Sequence, residues 1–162
     1  MTRRPFIGQI AGWFVTFICL CLFAAPQAAD AHRPDESYVF LIITDGPLEG
    51  EIHMRLSDMA KAVPIDSNGD GEISDEEVAQ SYKDIATYLS ERIRFFDDAG
   101  SHQPEMVGDI RFFGKGERRS FVLDFRVPSI NPPPDALDVE FPFLYDRIDP
   151  EHRPMLLIKS NP

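Results

Sequence analysis

The feature that most constrains this chain is a stretch of twelve residues, 66–77, with the sequence DSNGDGEISDEE. Side-chain oxygens stand at its first, third and fifth positions, on Asp66, Asn68 and Asp70. Glu77 closes the stretch at position twelve. Together with a glycine at position six, this spacing matches the EF-hand calcium loop, D-x-[DN]-x-[DN]-G-x₅-E, without a substitution.

The remaining positions also agree with Ca²⁺, which takes roughly six to eight oxygen ligands. Gly71 at position six suits the sharp turn, and Ile73 at position eight is expected to anchor the loop by a short β contact. Asp, Asn and Gly also cluster in ordinary turns, but a turn alone does not require this combination. The predicted calcium ligands are Asp66, Asn68, Asp70, Glu72 through its carbonyl, Ser74 through a water, and Glu77.

The first 31 residues are typical of an export signal. Arg3 and Arg4 precede an uncharged, mostly apolar run over 10–25, and Ala-Asp-Ala at 29–31 supplies a cleavage pattern. Cleavage would leave a mature chain that begins at His32 and is periplasmic or extracellular. An uncleaved membrane anchor is the alternative, because the run approaches the ~20 residues that span a bilayer.

Residues 32–162 are predicted to form a single strand-rich domain, since about 130 residues suit one hydrophobic core. Without the signal, the 16 basic and 27 acidic residues of the chain become 14 and 26, a net charge of −12. This balance argues against a nucleic-acid partner, because phosphate binding needs clustered Lys and Arg. Both cysteines lie in the signal, so the mature domain has no disulfide.

Hydrophobic periodicity predicts an α+β fold, an antiparallel sheet or small β-sandwich with an inserted EF-hand helix–loop–helix. Two helices flank the loop. A short one over 58–63 is capped by Ser57, and a longer one begins at Glu76 and carries an apolar stripe through Ile93. Predicted strands cover 37–44, 51–56, 93–96, 109–113, 121–127, 137–143 and 155–158.

A second calcium loop is not apparent in the sequence. EF-hands usually pair through the residue at position eight, here Ile73. We therefore expect its partner to be another strand of this domain or a second copy of the chain.

Several short motifs outside the loop, and the order of the segments that contain them, form a second recognisable pattern. They are His32-Arg33-Pro34 with Ser37-Tyr38, Leu56-Ser57-Asp58, Tyr145-Asp146, Asp149-Pro150 and His152-Arg153. These motifs resemble the extracytoplasmic N-terminal domain of HupE/UreJ-type membrane proteins, a family linked to nickel and cobalt handling. Transporting members continue into hydrophobic helices and this chain ends at Pro162, so no permease activity is expected of this polypeptide by itself.

The mature N-terminus suggests a second metal hypothesis, which the resemblance supports. The amine, imidazole and first backbone nitrogen of a mature His32 could chelate Cu²⁺ or Ni²⁺, which favour nitrogen ligands. His53, His102 and His152 are candidates to complete such a site, although no histidines have a close helical spacing. On this alternative the protein would deliver a transition metal to a membrane permease.

Catalysis is not expected. The sequence has no Gly-x-Ser-x-Gly, no phosphate-binding loop, no dinucleotide glycine pattern and no cysteine in the mature chain. Asp146 and Asp149 could act as an acid–base pair, but Asp-x-x-Asp-Pro more often forms a turn. The sequence thus predicts an exported, non-catalytic domain whose EF-hand holds Ca²⁺ structurally, with a membrane transporter or a second copy of itself as partners.

Overall fold

The computed structural model describes residues 36–145 and 147–160. The predicted signal peptide, His32 and Asp146 lie outside the described residues. The strands are β1 (Glu36–Ile43), β2 (Leu48–Arg55), β3 (Arg94–Asp97), β4 (Gly100–His102), β5 (Glu105–Phe113), β6 (Ser120–Val127), β7 (Asp138–Glu140) and β8 (Arg153–Ser160). The helices are α1 (Leu56–Met59), α2 (Asp75–Gln80) and α3 (Tyr82–Arg92), with a 3₁₀ turn at Gly116–Arg118.

The strands form two sheets, so the α+β class is confirmed. The larger sheet has the order β5-β6-β2-β1-β8 and the smaller one β4-β3-β7. Val39 of β1 faces Ile52 of antiparallel β2 and Leu156 of parallel β8. The predicted antiparallel sheet is therefore wrong at this edge, and the sheet is mixed. The chain returns after all the intervening elements to start β8 beside the start of β1, as a parallel crossover requires.

One hydrophobic core joins both sheets and the helices. The alternating residues of β1, β2 and β6 point inward, and the Phe95 ring of β3 lies 5.9 Å from the Phe125 ring of β6. Burying this apolar surface is the main favourable contribution to folding. The largest fully buried side chains are Phe95, Phe121, Phe125, Phe143, Leu48, Ile52, Met54, Met59, Ile65, Ile85, Leu89 and Ile93.

The helices differ from the prediction in their boundaries. The helix before the loop is shorter than the predicted 58–63 and begins earlier, at Leu56. It begins where β2 ends because the Leu56 N–H donates to the Arg119 carbonyl at 3.0 Å. Ser57 does not cap it. The exiting helix divides at Ser81 into α2 and α3. In the described part of the chain, no helix is long and apolar enough to cross a membrane.

The predicted apolar stripe of the exiting helix is confirmed. Val78, Ile85, Leu89 and Ile93 are buried in the core. Tyr82 is partly buried, and its hydroxyl donates to the carbonyl of Gly108 in β5 at 3.0 Å. The apolar side of α3 therefore holds the helix against the sheet that carries the rest of the core.

The C-terminal strands also depart from the prediction. Only Asp138–Glu140 of the predicted strand 137–143 pairs, because Phe143 has a φ of +40° and stands in a turn. The last strand is longer than 155–158 and forms the edge of the larger sheet. Its apolar side chains remain exposed, including Met155 at 47% and Ile158 at 64%.

Candidate functional site

The twelve-residue loop lies after α1, has a sharply turned backbone and ends in the first turn of α2. Gly69 and Gly71 have φ angles of +75° and +84°, a region that side-chain-bearing residues rarely adopt. Asp66 holds both turns, since its Oδ1 accepts from the Gly69 N–H (2.7 Å) and its Oδ2 from the Gly71 N–H (3.0 Å). The carboxylate of the first loop residue therefore accepts hydrogen bonds from the backbone that turns around it.

Similar hydrogen bonds order the third and fifth positions of the loop, but each spans a shorter stretch of chain. Oδ1 of Asn68 accepts from the Asp70 N–H at 2.7 Å, and Oδ1 of Asp70 accepts from the Glu72 N–H at 2.8 Å. Each is a turn in which a side-chain oxygen accepts from the residue two positions ahead. The loop is thus ordered by its own acidic and amide side chains.

Glu77 closes the loop from the other end. It is the third residue of α2, and it forms a capping box with Ser74, the residue at the N-cap. Oε2 accepts from the N–H and the hydroxyl of Ser74, both at 3.0 Å. Oε1 accepts from the N–H (3.0 Å) and hydroxyl (3.1 Å) of Ser67 and from the Asn68 N–H (3.3 Å). Position twelve therefore reaches back to positions two and three.

This set of donors keeps the Glu77 carboxylate charged. The hydrogen bond from the Ser74 N–H contributes most, and burial of the side chain opposes it. The Ser74 hydroxyl, the Asn68 N–H and the Ser67 hydroxyl add to the effect and lower the pKa of Glu77 to about 2. At neutral pH the residue is therefore an anion whose charge is balanced by hydrogen-bond donors.

The lowered pKa of Glu77 predicts an acid-sensitive stability. A carboxyl whose pKa falls on folding stabilises the protein above its unfolded value of 4.5, and this contribution is lost as the pH falls towards about 2. We expect the urea midpoint to decrease across this interval. Glu77→Gln should flatten the decrease, whereas Glu76→Gln, at an exposed neighbouring position, should not. Equal pH profiles for the two variants would contradict the assignment.

The predicted ligand residues are ordered but do not converge as a metal group. Within residues 36–145 and 147–160, no three His, Cys, Asp or Glu side chains are close enough to hold a metal ion. The carboxylates of Asp66, Asp70 and Glu77 each accept hydrogen bonds from backbone N–H groups of the loop. Glu72 supplies one of these N–H groups, and the Ser74 hydroxyl bonds Glu77.

The carbonyl of Ile73 contacts the side chain of Arg119, whereas the sequence predicts a partner on another strand or on a second copy of the chain. The Arg119 side chain donates from Nη1 to the Ile73 carbonyl at 2.6 Å and forms an ion pair with Asp75. The Arg119 guanidinium also lies over the Phe112 ring, 4.6 Å from its centroid. No local signal in the sequence marks this contact, because 46 positions separate Ile73 from Arg119.

The three described histidines occupy separate environments. His53 contacts Glu51 at 3.1 Å on β2, and His102 lies between Asp97 and Ser129, each at 2.9 Å. His152 is fully buried. Its Nε2 lies 2.9 Å from the Ser37 hydroxyl of β1. The structure therefore does not bring these histidines together, and the proposed chelate at His32 lies outside the described residues.

The other acidic residue considered for chemistry, Asp149, is held in an ion pair. Its carboxylate lies 2.6 Å from the Lys61 ammonium, which also lies 3.0 Å from the buried Asp58 carboxylate. The hydrogen bond from Lys61 is the main cause that lowers the pKa of Asp149. Lys61 thus links α1 to the segment before β8. Asp146 is not among the described residues.

Comparison of the chain with protein-family models, with curated proteins and with solved structures finds no match in any of the three.

Proposed function

We propose that the protein binds one Ca²⁺ ion through the EF-hand loop 66–77 and that the helix–loop–helix is an insertion between β2 and β3. The observation that carries this proposal is the return of the Glu77 carboxylate to the backbone of Ser67 and Asn68. This contact joins the end of the loop to its beginning. A loop that is already closed loses less conformational entropy when an ion binds.

The chemistry of the loop fits a hard cation. Its candidate ligands are carboxylate, amide and carbonyl oxygens, with no thiol or imidazole among them. Because both oxygens of Glu77 accept hydrogen bonds, ligation requires its carboxylate to exchange some of these donors for the ion. The exchange involves no proton at neutral pH, since the pKa of Glu77 is about 2.

We propose a structural rather than a sensory role for the ion. The entering helix α1 has only four residues, which leaves little helix to swing in the opening that sensor EF-hands undergo. The exiting side is held by buried residues of α2 and α3, among them Val78, Ile85 and Leu89. Calcium would therefore secure the junction between these helices and the sheet.

A structural calcium ion fits a protein that functions outside the cytoplasm, where the predicted signal would direct the chain. A site there functions with a dissociation constant as weak as ~10⁻⁴–10⁻³ M, the range of extracellular calcium modules. Association with a metal transport system remains part of the proposal, supported by the resemblance of the short motifs to HupE/UreJ-type proteins. Catalysis forms no part of it.

Thermal unfolding tests the structural role. For a site of ~10⁻⁴ M, 10 mM calcium is a hundredfold excess, which stabilises the folded state by about 2.7 kcal/mol. For a domain of this size we expect the melting temperature to rise by roughly 8 °C relative to a sample in chelator. Magnesium at the same concentration controls for ionic strength and should give a smaller rise. Identical melting in calcium and in chelator would contradict a structural ion.

A further inference from the structure

We propose that Arg119 is the positioning residue of the calcium loop and makes the contact that a paired EF-hand would otherwise make. This inference rests on the proposed calcium function. Its basis is the place that Arg119 occupies, at the residue through which EF-hand loops pair with each other. Here an arginine from the β5–β6 connection makes that contact within the same chain.

The contacts of the Arg119 side chain are directed at two neighbouring parts of the loop. Its Nη1 donates to the carbonyl of Ile73 at position eight, at 2.6 Å. Its Nη2 pairs with the Asp75 carboxylate at position ten, the first residue of α2. A planar guanidinium can bind both groups at once, which a single ammonium cannot do with the same geometry.

The guanidinium of Arg119 is itself held in place by contact with an aromatic ring. It lies over the Phe112 ring of β5 at 4.6 Å, and the Arg119 side chain is 25% exposed. Cation–π contact and partial burial both restrict the rotamers of a long side chain. Arg119 therefore presents a restrained side chain to the loop from the residue just before β6.

The backbone of the same residue holds the other side of the helix–loop–helix. The carbonyl of Arg119 accepts from the Leu56 N–H at 3.0 Å, where α1 begins. Arg119 thus contacts the start of the entering helix through its main chain and the start of the exiting helix through its side chain. These two ends must keep a fixed separation if the loop between them is to present its oxygens to an ion.

The space around Arg119 shows why its contact with the loop matters. A cleft of about 780 Å³ separates the loop from the 3₁₀ turn, and its lining includes Arg55, Asp58, Glu72 and Gly116. Among the described residues, the other side-chain hydrogen bonds of the loop lie within the loop itself. Arg119 spans the space that tight packing does not fill.

Arg119→Ala should therefore weaken calcium binding although it removes no calcium ligand. We expect an affinity loss of about 5- to 10-fold, the scale of the net contribution of one typical hydrogen bond expressed as an equilibrium constant. Arg119→Lys should recover part of the loss. Arg111→Ala is the matched control, because Arg111 lies on the same hairpin but pairs with Asp124 and Glu51. It should stay within about twofold of wild type.

A double-mutant cycle separates positioning from general destabilisation. Asp75→Asn removes the partner carboxylate at a side chain that is 67% exposed. If Arg119 acts through Asp75, the effect of Arg119→Ala on affinity should be smaller in the Asp75→Asn background. Titrations at a temperature where every variant is fully folded exclude an effect of unfolding. Amide hydrogen exchange without calcium should be faster at residues 73–77 in Arg119→Ala and unchanged in Arg111→Ala.

The outcomes separate this inference from the proposed function. A wild-type protein that binds no calcium overturns the proposed function. A wild-type protein that binds calcium, with Arg119→Ala equal to it in affinity and in hydrogen exchange, overturns the role of Arg119 alone. The expected pattern of loss, partial rescue by Lys and coupling to Asp75 supports both.

Discussion

Replacing Glu77 with glutamine is expected to weaken calcium binding about 10- to 100-fold, since an ionised ligand and its charge-assisted contacts are lost together. The substitution keeps the size of the side chain and one of its oxygens, so the change tests charge and bidentate ligation rather than packing. Ser67 and Ser74 would also lose their anionic acceptor. Calcium titration of the purified variant at fixed pH and ionic strength measures the effect.

Glu76→Gln is the control for this prediction. It removes the same charge one residue earlier, from an exposed side chain. Its calcium affinity should remain within about twofold of wild type, since surface charge changes away from a site have small effects. Equal affinities of Glu77→Gln and Glu76→Gln would show that the twelfth position does not ligate the ion.

The second large effect concerns the core on which the site rests. Phe125→Ala should lower the free energy of unfolding by about 3–5 kcal/mol, the range for truncating a buried phenylalanine. Phe125 is 1% exposed, packs over Gly50 of β2 and lies 5.9 Å from the Phe95 ring of the smaller sheet. The loss is a large part of the stability of a domain this size, so calcium-free protein should unfold at much lower urea.

Phe113→Ala provides the comparison for Phe125. Phe113 lies on the neighbouring strand β5 and is 47% exposed. Its truncation should change the free energy of unfolding by less than about 1 kcal/mol, because nearly half of the residue is already exposed to solvent. Urea denaturation monitored by circular dichroism compares the two variants directly. Similar midpoints for both would mean that Phe125 does not join the two sheets.

Much of the fold follows from local sequence patterns. The alternation of Ile52, Met54 and Leu56 predicts the β1–β2 hairpin, and the stripe from Val78 to Ile93 predicts the helical face that is buried. These elements are predictable because burial on one face imposes a period on the sequence itself.

The rest depends on contacts between distant parts of the chain. A short apolar segment such as Met155–Ile158 predicts a strand, but its direction is set by how the chain returns to β1. The start of α1 depends on the Arg119 carbonyl, which local capping signals do not reveal. The sequence likewise placed Phe143 in a strand, whereas its positive φ puts it in a turn.

The candidate site divides in the same way. The spacing of Asp66, Asp70 and Glu77 is a local property, so the loop is recognisable from the sequence alone. The hydrogen bonds from Ser67 and Asn68 to Glu77 follow from how tightly the loop closes. The contact that Arg119 makes with the loop comes from the distant β5–β6 hairpin, so it could not be predicted from spacing.

Isothermal titration calorimetry of the purified protein with calcium chloride tests the central claim most directly. We expect one ion to bind per chain with a dissociation constant of about 10⁻³ M or tighter, and prior addition of chelator to abolish this binding. Absence of any binding heat up to about 10 mM calcium, with the protein folded, would contradict it, because that is tenfold above the weakest such sites.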